Sequence, residues 1–110
     1  MRQAGDAGTD VLILPADDWR EVAPLHARMA VFRALEQGTS LVRPTMNGLS
    51  LATDDRGRVL ASMNHFSAGD RVMVANVPAR GVRTLYARVG DAFAWTALLA
   101  LLALTVRATR

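Results

Sequence analysis

The 110-residue chain reads as an α+β protein: one amphipathic helix and about five strands, followed by a C-terminal hydrophobic helix. Three observations carry that reading. Short apolar runs bounded by Pro, Gly and Asp surround a single stretch of helical periodicity. Two of the runs, Val11-Leu12-Ile13-Leu14 and Val72-Met73-Val74-Ala75-Asn76-Val77, lack polar alternation, which predicts strands covered on both faces. The stretch from Ala92 to Val106 contains no charged residue.

The first strand, Asp10 to Leu14, is ended by Pro15, and a loop follows through Arg20. A helix begins near Pro24, because proline is tolerated in a first turn. Leu25, Met29, Phe32 and Leu35 form its apolar stripe, and Gly38 closes it as a left-handed cap. Arg33 and Glu36 stand three residues apart on its flank, where their side chains can meet. Ser40 to Arg43 is a strand ended by Pro44, which cannot donate to a ladder. Asn47-Gly48 is a turn signal. Gly48 to Thr53 and Arg58 to Ser62 form a hairpin around Asp54-Asp55-Arg56-Gly57, with Gly in the last turn position. Val72 to Val77 is the fifth strand, and a basic loop over 78–84 leads to Tyr86, Arg88 and the apolar tail. One amphipathic helix cannot cover both faces of such a sheet, so this unit requires additional chain or a partner.

Composition excludes several functions. With 51% hydrophobic and 21% charged residues, the chain is not a disordered tail. A net charge of +3 spread over scattered arginines provides no nucleic-acid surface. There is no cysteine, and all 13 basic residues other than His are arginine. Disulfides, thiolate metal sites and a Cys nucleophile are therefore absent together. His26 and His65 lack a third ligand at metal spacing, so neither a metal nor a cofactor is expected. Ser50 lacks a G-x-S-x-G elbow and is not read as a nucleophile.

The apolar tail is read as a transmembrane helix. Its leucines surround the helix instead of forming one stripe, Trp95 sits near one end, and Arg107 and Arg110 flank the other. This predicts a cytoplasmic C-terminus and a globular part outside.

Taken in order, these elements resemble part of a known family. Asp18-Trp19 follows an apolar strand. His26 and Arg33-Ala34-Leu35-Glu36 lie on the helix. Arg43, Thr45, Asn47, Gly48 and Ser50 follow as Arg-x-Thr-x-Asn-Gly-x-Ser. Asp54 and Gly57 come next, then Thr84, Tyr86, Arg88, Gly90 and Asp91. This set is similar to the C-terminal part of apolipoprotein N-acyltransferases, within the carbon-nitrogen hydrolase (nitrilase) superfamily. One departure is the loop over 16–23, which is shorter than the family's usual Asn-Asp-x-Trp-Phe-Gly loop and lacks its Phe-Gly.

The resemblance implies a partial αββα sandwich. Residues 1–9 would be a ragged lead-in and 10–84 the C-terminal portion of the hydrolase domain. Residues 85–110 would be a juxtamembrane element carrying the helix at 92–106. It implies a bacterial inner-membrane protein that forms a thioester from a phospholipid and passes the acyl chain to a lipoprotein's amino terminus. A Glu, Lys and Cys triad performs that chemistry, so this chain is expected to hold no catalytic residue. Its expected partners are membrane lipid, the upstream portion of the domain and, in the complete protein, the lipoprotein.

Asp18 and Trp19 are the substrate-loop candidates; His26, Arg33, Glu36, Arg43, Asn47, Gly48, Tyr86 and Arg88 are supporting residues. Two other functions fit the same residues: a non-enzymatic membrane-tethered remnant or binding module, and a remnant of a nitrilase-like amidase.

Overall fold

A computed structural model describes residues 8–67, 69 and 71–108. The lead-in at 1–7 and the flanking Arg110 lie outside the described residues. Among the described residues the order is β1 (Val11–Ile13), α1 (Ala23–Gln37), β2 (Ser40–Arg43), β3 (Leu49–Thr53), β4 (Val59–Asn64), α2 (Leu85–Val89) and α3 (Ala92–Ala108). One four-stranded sheet runs in the order β1-β2-β3-β4. β1 and β2 are parallel, joined by the α1 crossover, whereas β2–β3 and β3–β4 are antiparallel.

Local chemistry sets several boundaries as the sequence predicts. Gly38 caps α1 at φ 68 and ψ 31, a left-handed conformation that favours glycine. A side chain here would also collide with the backbone carbonyl of Val82, 1.7 Å from an added Cβ. In the β3–β4 hairpin, Asp54 accepts from the backbone N–H groups of Arg56 and Arg58 at 3.0 and 2.8 Å. An irregular register between Ala52 and Thr53 then leads the ladder into that turn.

The face that α1 buries differs from the expectation. Ala23, Ala27, Ala30 and Ala34 are buried, and three of them pack with Leu41 of β2 and Leu51 of β3. Leu25, Met29 and Phe32 face outward and are more than half exposed. Both stripes recur at helical spacing, but the short alanine side chains permit close approach to the sheet. The bulkier stripe is left for another surface. Leu12, Leu14, Val31 and Leu49 complete a small core.

The fold class is also corrected in three respects. The sheet has four strands, not about five, because no strand forms at 72–77. Val72 and Val74 are 79% and 85% exposed. Apolar composition alone does not fix a pairing register, and this run pairs with neither edge of the sheet. The chain beyond is tied by single bonds instead: Ser40 donates to the Pro78 carbonyl at 2.9 Å, and the Val82 N–H to the Gly38 carbonyl at 2.8 Å.

Second, β1 is not covered on both faces. It is an edge strand, α1 lies on one side only, and Ile13 is 65% exposed.

Third, the described residues contain three helices, and none is long and apolar enough to cross a membrane. The 17 residues of α3 reach about 25 Å at about 1.5 Å each, short of a hydrocarbon core of about 30 Å. The transmembrane reading of 92–106, and the orientation that rested on it, are withdrawn.

Candidate functional site

The β1–α1 loop and the β2–β3 turn are stitched together at one end of the sheet. Ala16 N–H donates to the Pro44 carbonyl at 3.0 Å, Met46 N–H to the Ala16 carbonyl at 3.0 Å, and Asp18 N–H to the Asn47 carbonyl at 3.2 Å. The Asn47 side chain donates to Asp17 at 2.8 Å, and His65 N–H reaches the Gly48 carbonyl at 2.8 Å. Gly48 has φ 108, and an added Cβ would lie 3.0 Å from the Asp18 Cβ. The turn can approach Asp18 this closely only because position 48 has no side chain.

This stitching buries Asp18 between Arg43 and His26. Arg43, at the end of β2, donates from Nη2 to Asp18 Oδ2 at 2.8 Å, and both side chains are almost wholly buried. Arg43 Nη1 donates to the Leu49 carbonyl at 3.1 Å, while its buried Nε has no partner. From the first turns of α1, His26 Nδ1 donates to Asp18 Oδ1 at 2.8 Å. Burial by itself raises the Asp18 pKa. The hydrogen bonds and charges of Arg43 and His26 outweigh burial and hold the carboxyl below its ordinary value. Asp18 is therefore an anion at neutral pH, and its bond to Nδ1 leaves Nε2 as the other ring nitrogen of the half-exposed His26.

His26 opens onto a cavity of about 360 Å³ between the end of β1 and α1. Leu14, Pro15, Met29 and Ala30 provide its apolar lining, and Asp18, Arg33 and Arg43 provide its charge. The arrangement can hold an imidazole in one orientation, with Nε2 left to meet a polar ligand. It offers no nucleophile. The Ser50 hydroxyl accepts from the Thr45 N–H at 3.0 Å and lies 2.9 Å from the Thr45 hydroxyl, which gives it a role in the turn. Among the described residues no group of three His, Cys, Asp or Glu side chains is placed to hold a metal ion.

The other singled-out residues lie around this centre or away from it. Trp19 is 67% exposed beside Asp18, and its carbonyl accepts from the N–H groups of Val22 and Ala23. Arg33 and Glu36 form the expected pair at 2.9 Å on the exposed flank of α1, with Arg33 also lining the cavity. Tyr86 donates to Asp91 at 2.8 Å at the α2–α3 junction, and Arg88 is exposed in the last turn of α2.

Asp17, Thr45 and Thr84 were not anticipated as structural ties. Thr84 caps α2 by accepting from the Ala87 N–H at 3.1 Å, and its hydroxyl also donates to the Glu36 carbonyl. A Thr three residues before a helical N–H is a local signal that could have found the cap. The Asp17–Asn47 contact spans 30 residues and has no such signal.

Curated proteins resemble the chain over most of its length. An apolipoprotein N-acyltransferase of Vibrio cholerae is 45% identical over 78 residues, covering 66% of this chain and 15% of that protein. Its namesake in Vibrio vulnificus is 38% identical over 104 residues, covering 89% of the chain and 20% of the relative. The Shewanella oneidensis protein of that name is 34% identical over 95 residues, covering 83% and 18%.

The chain is a homologue of the apolipoprotein N-acyltransferases.

It spans about a fifth or less of the length of these relatives. No family model matches it, and no solved structure gives a significant match. The resemblance drawn from Asp18-Trp19, the α1 motif and the Arg43–Ser50 run thus agrees with the acyltransferase relatives. In this chain those segments meet around one buried carboxylate.

Proposed function

We propose that these 110 residues are the C-terminal portion of an apolipoprotein N-acyltransferase-like protein and form a supporting wall of its site. The observation that carries this is the Asp18–Arg43–His26 cluster, assembled by the loop, helix and strand that resemble the family. The cluster fixes the β1–α1 loop against the β2–β3 turn, with His26 at the cavity and Trp19 exposed beside Asp18. In the complete protein, the acyl group of a phospholipid would pass to a thiolate and then to a lipoprotein's amino terminus. The thiolate, its carboxylate base and its Lys partner would come from polypeptide outside this chain, which has neither Cys nor Lys. The complete protein would act at a bacterial cell membrane. The exposed Phe93, Trp95 and leucines of α3 are the side chains that would contact lipid from its surface.

A chimera tests this. The chain replaces its matched portion in the Vibrio cholerae relative, and acyl transfer from phospholipid vesicles to a lipopeptide with a free amino-terminal Cys is measured. The chimera is expected to transfer and the isolated chain is not. Transfer by the isolated chain, or a folded chimera without activity, overturns the proposal. The absence of Cys and Lys also supports a second reading, a non-enzymatic binding module, which the inactive chimera would favour.

A further inference from the structure

A second cavity, of about 180 Å³, lies at the end of the sheet opposite the Asp18 cluster, between the start of β1 and the α1–β2 junction. The segment over 78–84 straps this end. The Ser40 hydroxyl donates to the Pro78 carbonyl at 2.9 Å, Gly81 N–H to Asp10 Oδ1 at 2.8 Å and Val82 N–H to the Gly38 carbonyl at 2.8 Å. Asp10, Gln37, Gly38, Val82 and Arg83 all line the cavity. Its volume is below the about 300–1,000 Å³ of sites for drug-sized ligands, so it admits only a small molecule.

Three polar side chains in this lining have bonding capacity to spare. Arg83 has no ion-pair partner among the described residues. Asp10 spends Oδ1 on Gly81, and its Oδ2 has no partner among them. These opposite charges line one cavity without pairing with each other. Gln37 is 9% exposed, and its side-chain amide has no hydrogen-bond partner among the described residues. Sealed polar atoms without a partner occur on Arg43 and Thr53, so the Gln37 amide meets open space, and the space it lines is this cavity. Buried polar side chains normally find a partner. Gln37 also ends α1, whose C-terminal carbonyls carry partial negative charge beside Asp10.

We infer that this cavity binds the zwitterion of a small amino acid. The carboxylate takes the planar fork of Arg83, which suits two parallel N–H···O bonds. The ammonium donates to Asp10 Oδ2 at the C-terminal end of α1, and the Gln37 amide, both donor and acceptor, adds a further bond. A simple anion would face Asp10 and a simple cation would face Arg83. One molecule carrying both charges matches the two that the cavity holds apart. Bound there, it would bridge the 78–84 strap to the α1–β2 junction. This inference is independent of the acyltransferase reading.

The test titrates the isotope-labelled 110-residue chain with glycine and follows the amide resonances of Gly38, Gly81 and Val82. Saturable shifts at these amides are expected, with acetate and methylammonium binding about tenfold more weakly or worse. Arg83→Gln and Asp10→Asn should each weaken glycine binding about tenfold or more, and Asn keeps an acceptor for Gly81. Arg28→Gln, at an exposed site on α1 outside the cavity, should bind as wild type. If Asp10→Asn does not fold, Arg83→Gln, on an exposed residue, decides alone. No saturable shift would leave the cavity to water and overturn the inference. Acetate binding as tightly as glycine would make it a plain anion site, and glycine binding unchanged by Arg83→Gln would place the ligand elsewhere; either also overturns it.

Discussion

Replacing Asp18 by Asn tests whether the cluster is the structural centre of the domain. In the wild type, the Arg43 side chain is 4% exposed and has two partners, Asp18 Oδ2 and the Leu49 carbonyl. Its Nε is already unpaired. The substitution keeps the shape but leaves a buried guanidinium facing a neutral amide. Breaking one side of a buried ion pair costs about 3–5 kcal/mol, because the remaining charge stays out of water. That is a large share of the stability of a small domain, about 5–15 kcal/mol.

Urea unfolding measures the loss. With a slope of about 2 kcal/mol per molar, the midpoint should fall by about 1.5 M or more. Arg43→Met alone should cost a similar amount. The double variant should cost less than the sum by about 0.5–3 kcal/mol, since removing both partners strands neither. The sign of the pH dependence follows from the lowered Asp18 pKa. Its contribution is present above the unfolded value of about 3.9 and is lost as pH falls through the native value. Asp18→Asn should remove that acid-limb loss. A midpoint shift worth under about 0.5 kcal/mol together with additive single variants would refute the reasoning.

Gly48→Ala should destabilise by about 1–3 kcal/mol, since its φ of 108 disfavours a side chain and the new methyl would crowd Asp18; thermal unfolding checks this. Ala30→Leu should also destabilise by about 1–3 kcal/mol through overpacking, whereas Phe32→Ser should change stability by under about 0.5 kcal/mol; equal effects in urea would overturn the assignment of the α1 faces. Leu41→Ala removes a fully buried side chain and should cost about 2–5 kcal/mol by the same assay. Asp54→Asn should weaken the hairpin, with amide exchange at Arg56 and Arg58 rising. Burial tends to raise the Asp54 carboxyl pKa, but bonds from Arg58 and Arg56 lower it on balance, so the wild-type turn should loosen as pH falls below about 4.

Sequence alone determined the features that depend on a few adjacent residues. The left-handed stop at Gly38, the Asp54–Gly57 turn, the strand ending before Pro44 and the Arg33–Glu36 pair follow from backbone freedom, missing donors and helical spacing. The ordered motifs also pointed to the acyltransferase relatives. Tertiary structure decided the rest. Periodicity marks two apolar stripes on α1, and only the sheet selects the alanine stripe, because it must accept a close neighbour. An apolar run such as 72–77 becomes a strand only where it pairs with a neighbouring strand, and here it pairs with neither sheet edge. The Asp18–Arg43 bond joins residues 25 positions apart, and the 18–26 pair meets only after the loop folds back onto α1. Distance through the chain carries no information about such contacts; packing brings the charges together, and burial then makes their pairing obligatory.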